Sequence, residues 1–476
     1  MMKNKSRFLM WSGPFLVFAA ALFVFPLYAP PLYGGGQQTG REQITMWFWG
    51  AAPEYRMVLE EALVKPYNAS QDTYELVVSY DNAVDNNIAT ALAADGGNAP
   101  DIVYGSGPAF VSQYAQAGKL LDLTPYAARY GWIERIMPAI YEAGKVNGKL
   151  YCLPGGTVTM GVFYNKKVLN DLRAKDPSLP RGVPATIAEF ERFMEAALKN
   201  GYYASVTGNK GWKPVNENYS TIFLNAVAGP ENVYKAVNGQ KAFTDAEFVK
   251  AVNKSAEWYQ KGYLGGGHIL NETLVIDYPN LNFAESCQLL ADDKAAFFVG
   301  PSLAFQFMNT YFQGNKTENL GFTVFPMDPS IPTQSYVLGV VNSFSIWSGS
   351  KHADEAAKIM DMMMSSAFAQ SLARVWPGYW AVPLNEFNPD TSGFSSLSLE
   401  FVSTIQKMYR SVASGNFGIH ISTFYPPLTQ AALIDIERVW LKDQTAEEFL
   451  RNVAAEYQKD AARGSIPGIP APNGAR

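Results

Sequence analysis

The sequence is poor in the residues that hold metal ions and disulfide bonds. Its 476 residues include two cysteines, Cys152 and Cys287, and three histidines, His268, His352 and His420. Two cysteines exclude a disulfide-dense scaffold and a four-cysteine zinc site, and the wide spacing of the histidines argues against a histidine metal cluster. Both cysteines lie in apolar surroundings, which favours free buried thiols, although the sequence leaves a disulfide open. We therefore predict no metal site and no cofactor.

The sequence also lacks the common catalytic motifs. It contains no HExxH, CxxC, GxSxG or phosphate-loop pattern. Three pairs of adjacent acids, at 60–61, 292–293 and 447–448, resemble the two carboxylates of a glycosidase. Adjacent residues on a helix point about 100° apart, so these pairs are better explained as solvated helix faces. We predict no catalytic residues, while an enzyme whose carboxylates meet from distant positions stays an open alternative.

Charge is scarce and slightly negative. Charged residues make up 17% of the chain and the net charge is −5, which argues against a general nucleic-acid binder. Hydrophobic residues make up 48%, enough for a large core, and the length predicts two domains or more. Aromatic residues reach 14%, with 26 Tyr and 10 Trp. A core explains most of these rings, and the surplus could line a binding cleft.

The amino terminus has the pattern of an export signal. Lys3, Lys5 and Arg7 precede an apolar run at 8–28. A run of roughly 20 residues can also cross a bilayer as a helix. We therefore predict that residues 1–40 are a signal peptide or membrane anchor followed by a Gly/Gln-rich tether. The rest of the chain would then lie outside the cytoplasm, in the periplasm or at the outer face of the membrane.

After this segment, short apolar strands alternate with amphipathic helices. The pattern predicts strands at 44–49, 74–80 and 101–104 and helices at 53–67, 82–94 and 110–117. This order predicts a mainly parallel α/β sheet, with ligands at the carboxyl ends of its strands.

The second part of the chain is predicted to be α-rich. Capping boxes are predicted at Thr186, Thr244 and Thr445, each before a long amphipathic helix, and short strands at 321–325 and 343–347. The proline-containing tail at 464–476 is predicted to be disordered.

Aromatic and amide-rich segments follow several of the predicted strands. Trp47 and Trp49 end the first strand, YGSG at 104–107 ends the third, PGGT at 154–157 follows another apolar stretch, and WPGYW spans 376–380. A sugar ring stacks its C–H face on such rings, and its hydroxyls need polar partners because a buried unpaired hydroxyl costs roughly 1–3 kcal/mol. Core packing for each ring, and capping for each polar residue, are the alternative interpretations. The polar candidates are Glu54, Asp81, Asn82, Ser106 and Asn216.

Several segments in order resemble the family 1 extracellular solute-binding proteins, the maltose-binding-protein-like sugar receptors of ABC importers. These segments are NAPDIVY at 98–104, YAQAGKLLDL at 114–123, NGKLYCLP at 147–154 with FYNK at 163–166, PATIAEF at 184–190, KAAFFVGP at 294–301, KHADEAA at 351–357 and the closing helix at 445–460. Each segment alone is weak evidence, but their common order over 44–463 is strong.

The resemblance implies a two-lobe, periplasmic-binding-protein-like (type II) α/β fold with a hinge between the lobes, and a monomer. The implied amino-terminal lobe covers 42–154 and 343–377, and the carboxyl-terminal lobe covers 155–342 and 378–463. Chain crossings are expected near 152–158, 339–344 and 378–383. Binding of a ligand between the lobes would drive hinge closure.

The resemblance also implies some of the site residues. Residues 104–110 align with ligand contacts of the first lobe, and Phe424 and Tyr425 with an aromatic platform of the second. Ser302 stands where the family often has Trp, so we expect that ring to be missing or replaced by Phe305. The predicted ligand-binding residues are Trp47, Trp49, Glu54, Asn82, Ser106, Thr157, Trp212, Asn216, Tyr219, Tyr379, Trp380, Phe424 and Tyr425.

The implied function is binding of a carbohydrate, in particular an oligosaccharide, and its delivery to the permease subunits of an ABC transporter. The protein would meet the membrane through its amino-terminal segment or through the permease. An extracellular carbohydrate-active enzyme with the same aromatic cleft is one alternative, and a binding sensor that signals to a membrane kinase is another. A phosphate, amino-acid or polyamine ligand also stays open.

Overall fold

The structure, a computed structural model, describes residues 40–50, 53–81, 83–94, 99–105, 107–375 and 381–473. Of residues 53–55 it describes the backbone but not the side chains. The predicted export segment lies outside these ranges. Within them, no helix combines the length and the apolar character needed to cross a membrane.

The strands of the described residues are between 2 and 11 residues long. They are β1 (Glu42–Trp49), β2 (Tyr74–Asp81), β3 (Ile102–Gly105), β4 (Lys145–Val146), β5 (Lys149–Leu150), β6 (Leu153–Val158), β7 (Met160–Asn165), β8 (Tyr203–Val206), β9 (Gly267–Leu270), β10 (Thr273–Ile276), β11 (Ala295–Pro301), β12 (Leu320–Val324), β13 (Tyr336–Ile346) and β14 (Phe417–Ile419).

Helices surround these strands. They are α1 (Pro53–Leu59), α2 (Lys65–Ala69), α3 (Val84–Ala93), α4 (Pro108–Gln116), α5 (Thr124–Tyr130), α6 (Trp132–Arg135), α7 (Pro138–Ala143), α8 (Lys166–Lys175), α9 (Ile187–Lys199), α10 (Asn216–Phe223), α11 (Pro230–Val237), α12 (Ala246–Gln260), α13 (Phe283–Ala291), α14 (Phe305–Tyr311), α15 (Ala353–Met363), α16 (Ser366–Val375), α17 (Ser396–Ala413), α18 (Ile421–Phe424), α19 (Pro427–Ile434), α20 (Glu437–Trp440) and α21 (Ala446–Ala462).

The first sheet contains the three strands predicted nearest the amino terminus. Its order is β14–β13–β3–β1–β2, and β6 also pairs with β13. Strand β1 runs parallel to both β2 and β3, as the alternating pattern predicts. Ile44, Met46 and Phe48 are fully buried, while Trp47 and Trp49 on the opposite face are partly buried. We call this sheet, with α1–α7, α15 and α16, the first half of the fold.

The second sheet has the order β12–β7–β11–β8. Strand β11 runs parallel to β8 and antiparallel to β7, so the end of β11, the end of β8 and the start of β7 lie at one edge. Helices α8–α14 and α19–α21 lie around this sheet or around one another, and we call the whole set the second half.

Two adjacent strands join the halves. Strand β6 leads from the first half into β7, and β13 leads back from the second half to pair with β3. They pair antiparallel from Gly339 opposite Val158 to Phe344 opposite Leu153. A third segment lies beside them, because Thr157 N donates to Ala381 O at 2.9 Å. The resemblance implies chain crossings at these positions, and their role as a hinge stays a prediction.

Of the three predicted capping boxes, the one at Thr445 forms completely, while at Thr186 the Glu189 carboxylate accepts from Ala185 N rather than from Thr186 N. Thr186 and Thr445 are N-caps whose hydroxyls accept from the backbone N–H groups of Glu189 and Glu448. The prediction at Thr244 is wrong, because α12 begins one residue later and Asp245 occupies the N-cap. Asn282 forms a capping box that sequence reasoning missed.

The predicted helix at 53–67 is interrupted. A π-helical turn, Glu60–Val64, separates α1 from α2. One face of this segment still buries Val58, Leu59 and Leu63, which is the apolar face expected from the sequence.

Both cysteines are free and buried. Burial disfavours the charged thiolate, so it raises the pKa of Cys152 to about 12 and that of Cys287 well above its ordinary value. These thiols are therefore inert parts of the core rather than nucleophiles.

The carboxyl-terminal segment differs from the expectation of disorder over 464–473. It has no helix or strand, but Pro467, Pro470 and Pro472 are buried, and Asn473 N donates to Gly415 O at 2.8 Å. Residues 474–476 lie outside the described ranges.

Candidate functional site

The carboxyl ends of the first-sheet strands form one edge. Trp49 lies opposite Asp81 in the parallel register of β1 and β2, and Gly50 N donates to Asp81 O at 2.9 Å. Met46 lies opposite Ile102, so β3 ends at this edge as well. The edge therefore combines an indole ring with a carboxylate, a pairing that suits a polar ligand with an apolar face.

Local hydrogen bonds hold the Asp81 carboxylate in place. Its Oδ1 accepts from Ala83 N at 2.8 Å, and its Oδ2 accepts from the Asn87 amide. Asp81 is half-buried, so part of the residue stays accessible. Its carboxylate orients the start of α3 at the edge where β1 and β2 end.

The turn between β3 and α4 lies against β13 and α18. A Cβ atom on Gly107 would lie 3.5 Å from Val340 O and 3.6 Å from Ser422 O. The first-sheet edge therefore lies directly against α18, which precedes the α19–α21 helices of the second half.

The matching edge of the second sheet is polar. Ser302 N donates to Thr159 O at 2.8 Å, and Thr159 N donates to Ser302 Oγ at 3.2 Å. Thr207 Oγ1 donates to Val299 O at 2.7 Å. The Thr159 hydroxyl has no hydrogen-bond partner among the described residues.

Glu217, on the first turn of α10, is a buried acid that sequence reasoning missed. It is only 6% exposed, and Gln430 Nε2 donates to its Oε2 at 2.9 Å. Burial raises its pKa to about 7, which the Gln430 hydrogen bond offsets only in part. Every residue of α10 is buried, so no polar face marked this glutamate in the sequence.

His420 lies beside the crossing strands. Its Nδ1 is 2.7 Å from Ser422 Oγ, and a Cβ atom on Gly339 would lie 2.9 Å from its ring. Burial lowers its pKa to about 3, so the imidazole is neutral at physiological pH. No group of His, Cys, Asp and Glu side chains in the described ranges could hold a metal ion.

Three of the predicted ligand-binding residues are partly or largely accessible near strand ends. Trp47 and Trp49 lie on the same face of β1, with Trp49 at the edge. Trp212 is 48% exposed on the loop that follows β8. Their role as ligand contacts stays a prediction, and Trp49 is the ring that lies at the strand end itself.

Five others are fully buried or nearly so, and their contacts explain why. Asn216 Nδ2 donates to Ile434 O at 2.8 Å and to Glu437 Oε2 at 3.0 Å. The Tyr219 ring lies 5.4 Å from the Trp440 ring.

Phe424 and Tyr425 have no exposed surface. The Thr157 hydroxyl donates to Ala381 O at 3.1 Å. In this structure these residues hold the fold together, and the amide and hydroxyl groups of Asn216 and Thr157 are already engaged.

The remaining predicted residues lie outside what the structure describes. They are Asn82, Ser106, Tyr379 and Trp380, together with the side chain of Glu54. The expected replacement ring does not reach the edge, because Phe305 is fully buried with its ring 4.8 Å from that of Phe163.

Comparison with known proteins identifies the family. Residues 62–392 match the model of the bacterial extracellular solute-binding proteins. The chain is 21% identical over 454 residues to the mannitol-binding protein of Pseudomonas aeruginosa, covering 94% of this chain and 96% of that protein.

Two solved structures share the fold. The chitin oligosaccharide binding protein has a TM-score of 0.71 at 18% identity, with coverage of 89% of this chain and 99% of that chain. The sugar-binding protein MalE from Xanthomonas citri has a TM-score of 0.67 at 18% identity, with coverage of 89% and 98%. The chain therefore belongs to the bacterial extracellular solute-binding protein family.

Proposed function

We propose that the protein is the extracytoplasmic receptor of an ABC importer and that it binds a carbohydrate, in particular an oligosaccharide, between its two halves. The family is one of solute-binding proteins rather than enzymes. One observation carries the choice of a carbohydrate. The indole of Trp49 lies next to the Asp81 carboxylate at the edge where the first-sheet strands end. The ring provides a stacking surface, and the carboxylate accepts hydrogen bonds from hydroxyls.

The proposed lobes are 42–154 with 343–377 and 155–342 with 378–463. Strands β6 and β13 and the segment after residue 380 form the hinge between them. Contacts that a ligand makes with both lobes exist only when the lobes are close together, so binding favours closure. The membrane permease would then recognise the closed form.

Three similar proteins support the ligand class, because their names describe binding of mannitol, which is a polyol, of a chitin oligosaccharide or of a sugar. A polyol and a sugar share a dense set of hydroxyl groups, which need several buried hydrogen-bond partners. We assign this hydrogen bonding of ligand hydroxyls to three described side chains, Asp81, Thr159 and Glu217.

A thermal-shift screen tests the proposal. Purified protein lacking residues 1–39 is melted with mono-, di- and oligosaccharides, polyols, amino acids and polyamines. A ligand at 100 times its dissociation constant stabilises the folded state by roughly 2.7 kcal/mol, which raises the melting temperature. If an amino acid or polyamine raises the melting temperature and no carbohydrate or polyol does, the proposal that the ligand is a carbohydrate is wrong.

The screen also separates binding from catalysis. An oligosaccharide that shifts the melting temperature is incubated with the protein and then recovered. We expect the oligosaccharide unchanged and a compaction of the protein in small-angle scattering. Hydrolysis products, with an unchanged scattering profile, would instead identify an enzyme.

A further inference from the structure

The last ten described residues, 464–473, form an extended segment that connects the two halves of the fold. The segment leaves α21 of the second half, where Ser465 N donates to Asp460 O at 3.0 Å. At the same point Gln116 Nε2, from α4 of the first half, donates to Gly464 O at 3.0 Å. The segment is thus attached to both halves from its beginning.

The middle of the segment lies along the first half. A Cβ atom on Gly468 would lie 3.3 Å from Lys145 O and 3.4 Å from Glu142 O, so the backbone passes close to the end of α7 and the start of β4. Ile466 and Ile469 pack against the core, and Pro467 and Pro470 are buried. The contact is therefore apolar and specific rather than a loose surface approach.

The far end is fixed on the turn between α17 and β14. Asn473 N donates to Gly415 O at 2.8 Å, and its side-chain amide donates to Ser414 O. Strand β14 pairs with β13 at Tyr336–Leu338, next to the stretch of β13 that pairs with β6. The end of the segment is therefore anchored close to the crossing strands.

Two cavities border the segment between these anchors. A cavity of about 590 Å³ lies between it, α4, the β4–β5 turn and α11, and another of about 350 Å³ lies between it, α7 and the end of α17. The segment is therefore an extended length of chain that packs on the first half through some residues and borders open space beside the others. Its three prolines restrict φ, so it stays extended with little loss of chain entropy.

We propose that residues 464–473 act as a strap that restrains the relative motion of the two halves. Any rotation about β6 and β13 that changes the distance between α21 and the first half must stretch the strap or detach it. The strap therefore raises the free energy of hinge motion. This role goes beyond the proposed function and holds whichever ligand the protein binds.

Hydrogen exchange without ligand tests the strap. A variant that ends at Arg463 is compared with the chain that ends at Arg476, both beginning at Gly40. Two backbone amides at the crossings are the reporters. Thr157 N donates to Ala381 O at 2.9 Å, and Val340 N donates to Thr423 Oγ1 at 2.8 Å. We expect them to exchange at least about tenfold faster in the truncated protein, while amides within β1 and β11 keep their rates.

Two further variants separate tethering from contact. A six-residue Gly/Ser insertion after Ser465 keeps the anchors but slackens the strap, and it should accelerate the reporters as truncation does. Asn473→Ala removes the far side-chain anchor and should give an intermediate rate. The matched control is Lys459→Ala on α21, whose ammonium pairs with Glu456 at 2.6 Å and which should leave all rates unchanged.

Two results would overturn the inference. Unchanged exchange of Thr157 and Val340 after truncation would show that the strap does not restrain the hinge. Equal acceleration of these amides and of those in β1 and β11 would show that the segment contributes only to global stability. Neither result depends on a carbohydrate, so failure of the strap and failure of the proposed function are distinguishable.

Discussion

Gln430 Nε2 donates to Glu217 Oε2 at 2.9 Å, and this hydrogen bond joins α19 to the first turn of α10. The acid it contacts is almost completely buried, and burial raises its pKa to about 7. A buried acid with so few partners destabilises the folded protein once it must ionise. Its presence is understandable where a ligand hydroxyl supplies the missing hydrogen bonds.

We predict that Glu217→Gln stabilises the protein at pH 8 and has little effect at pH 4. The carboxyl is protonated in both states below its ordinary pKa of 4.5, and between 4.5 and about 7 only the unfolded state releases the proton. Stability is therefore lost as pH rises through this window, by about 1.4 kcal/mol per unit and roughly 3 kcal/mol in all. Urea denaturation at the two pH values measures the difference.

Glu231→Gln is the control for this prediction. Its carboxylate lies on the surface of α11 and pairs with Lys235. A surface ion pair contributes at most about 1 kcal/mol, so this variant should show no gain in stability at pH 8. A similar effect of Glu217→Gln at pH 4 and pH 8 would mean that Glu217 does not titrate in this range.

A second prediction concerns acid sensitivity and His420. Burial lowers the pKa of this imidazole to about 3, from an ordinary value of 6.5. The unfolded state alone takes up the proton between these values, so stability is complete above pH 6.5 and falls as pH decreases, by about 1.4 kcal/mol per unit. We expect His420→Gln to remove this dependence.

The measurement compares the loss of unfolding free energy between pH 7 and pH 5. The native chain should lose roughly 2 kcal/mol more than the variant over this interval. His352→Gln serves as the control, because this histidine is not buried and precedes α15 at the surface. Parallel pH profiles for the native chain and His420→Gln would contradict the assignment.

The sequence predicted the strands and helices of the first half well, because apolar residues there follow simple periods. Strand β1 alternates buried and less buried residues, and α3 and α4 begin and end within two residues of the predicted limits. The same reasoning found the start of the last helix from the Thr445 capping box. At these positions the apolar periodicity and the capping residue were sufficient to predict the limits of the helices and strands.

The candidate site was harder to predict, because burial on every side leaves no periodic pattern. Asn216, Glu217 and Tyr219 lie on a helix without an exposed face, so sequence could not separate a core role from a ligand role. Two partners of Asn216, Ile434 and Glu437, lie more than 200 residues away along the chain. The order of the tail at 464–473 was missed for a related reason, since its contacts with Gln116 and Gly415 are to distant segments.

A third prediction separates the two threonines that share a capping sequence. Thr445→Ala should destabilise the protein by about 1 kcal/mol, because the Thr445 hydroxyl accepts from Glu448 N at 3.1 Å and completes a capping box in which Glu448 Oε2 accepts from Thr445 N at 2.8 Å. Thr244→Ala should change stability by less than about 0.5 kcal/mol, because Thr244 is exposed and does not cap α12.

Chemical denaturation of both alanine variants tests the pair directly. The two side chains are identical and both are exposed, so only the capping geometry differs between them. Equal losses of stability would show that the helix α12 also uses its threonine as a cap in solution.

The last prediction concerns ligand binding by Trp49. Once a carbohydrate ligand is identified, Trp49→Ala should raise its dissociation constant about tenfold, the loss expected when one aromatic stacking contact is removed. Trp47→Ala is the matched control, because Trp47 lies on the same face of β1 but two residues before the strand end. Calorimetric titration should show a clearly smaller change for Trp47→Ala, and thermal melting should show that both variants are folded. Equal affinities for Trp49→Ala and the native chain would place Trp49 among the packing residues of β1 and move the ligand away from this edge of the sheet.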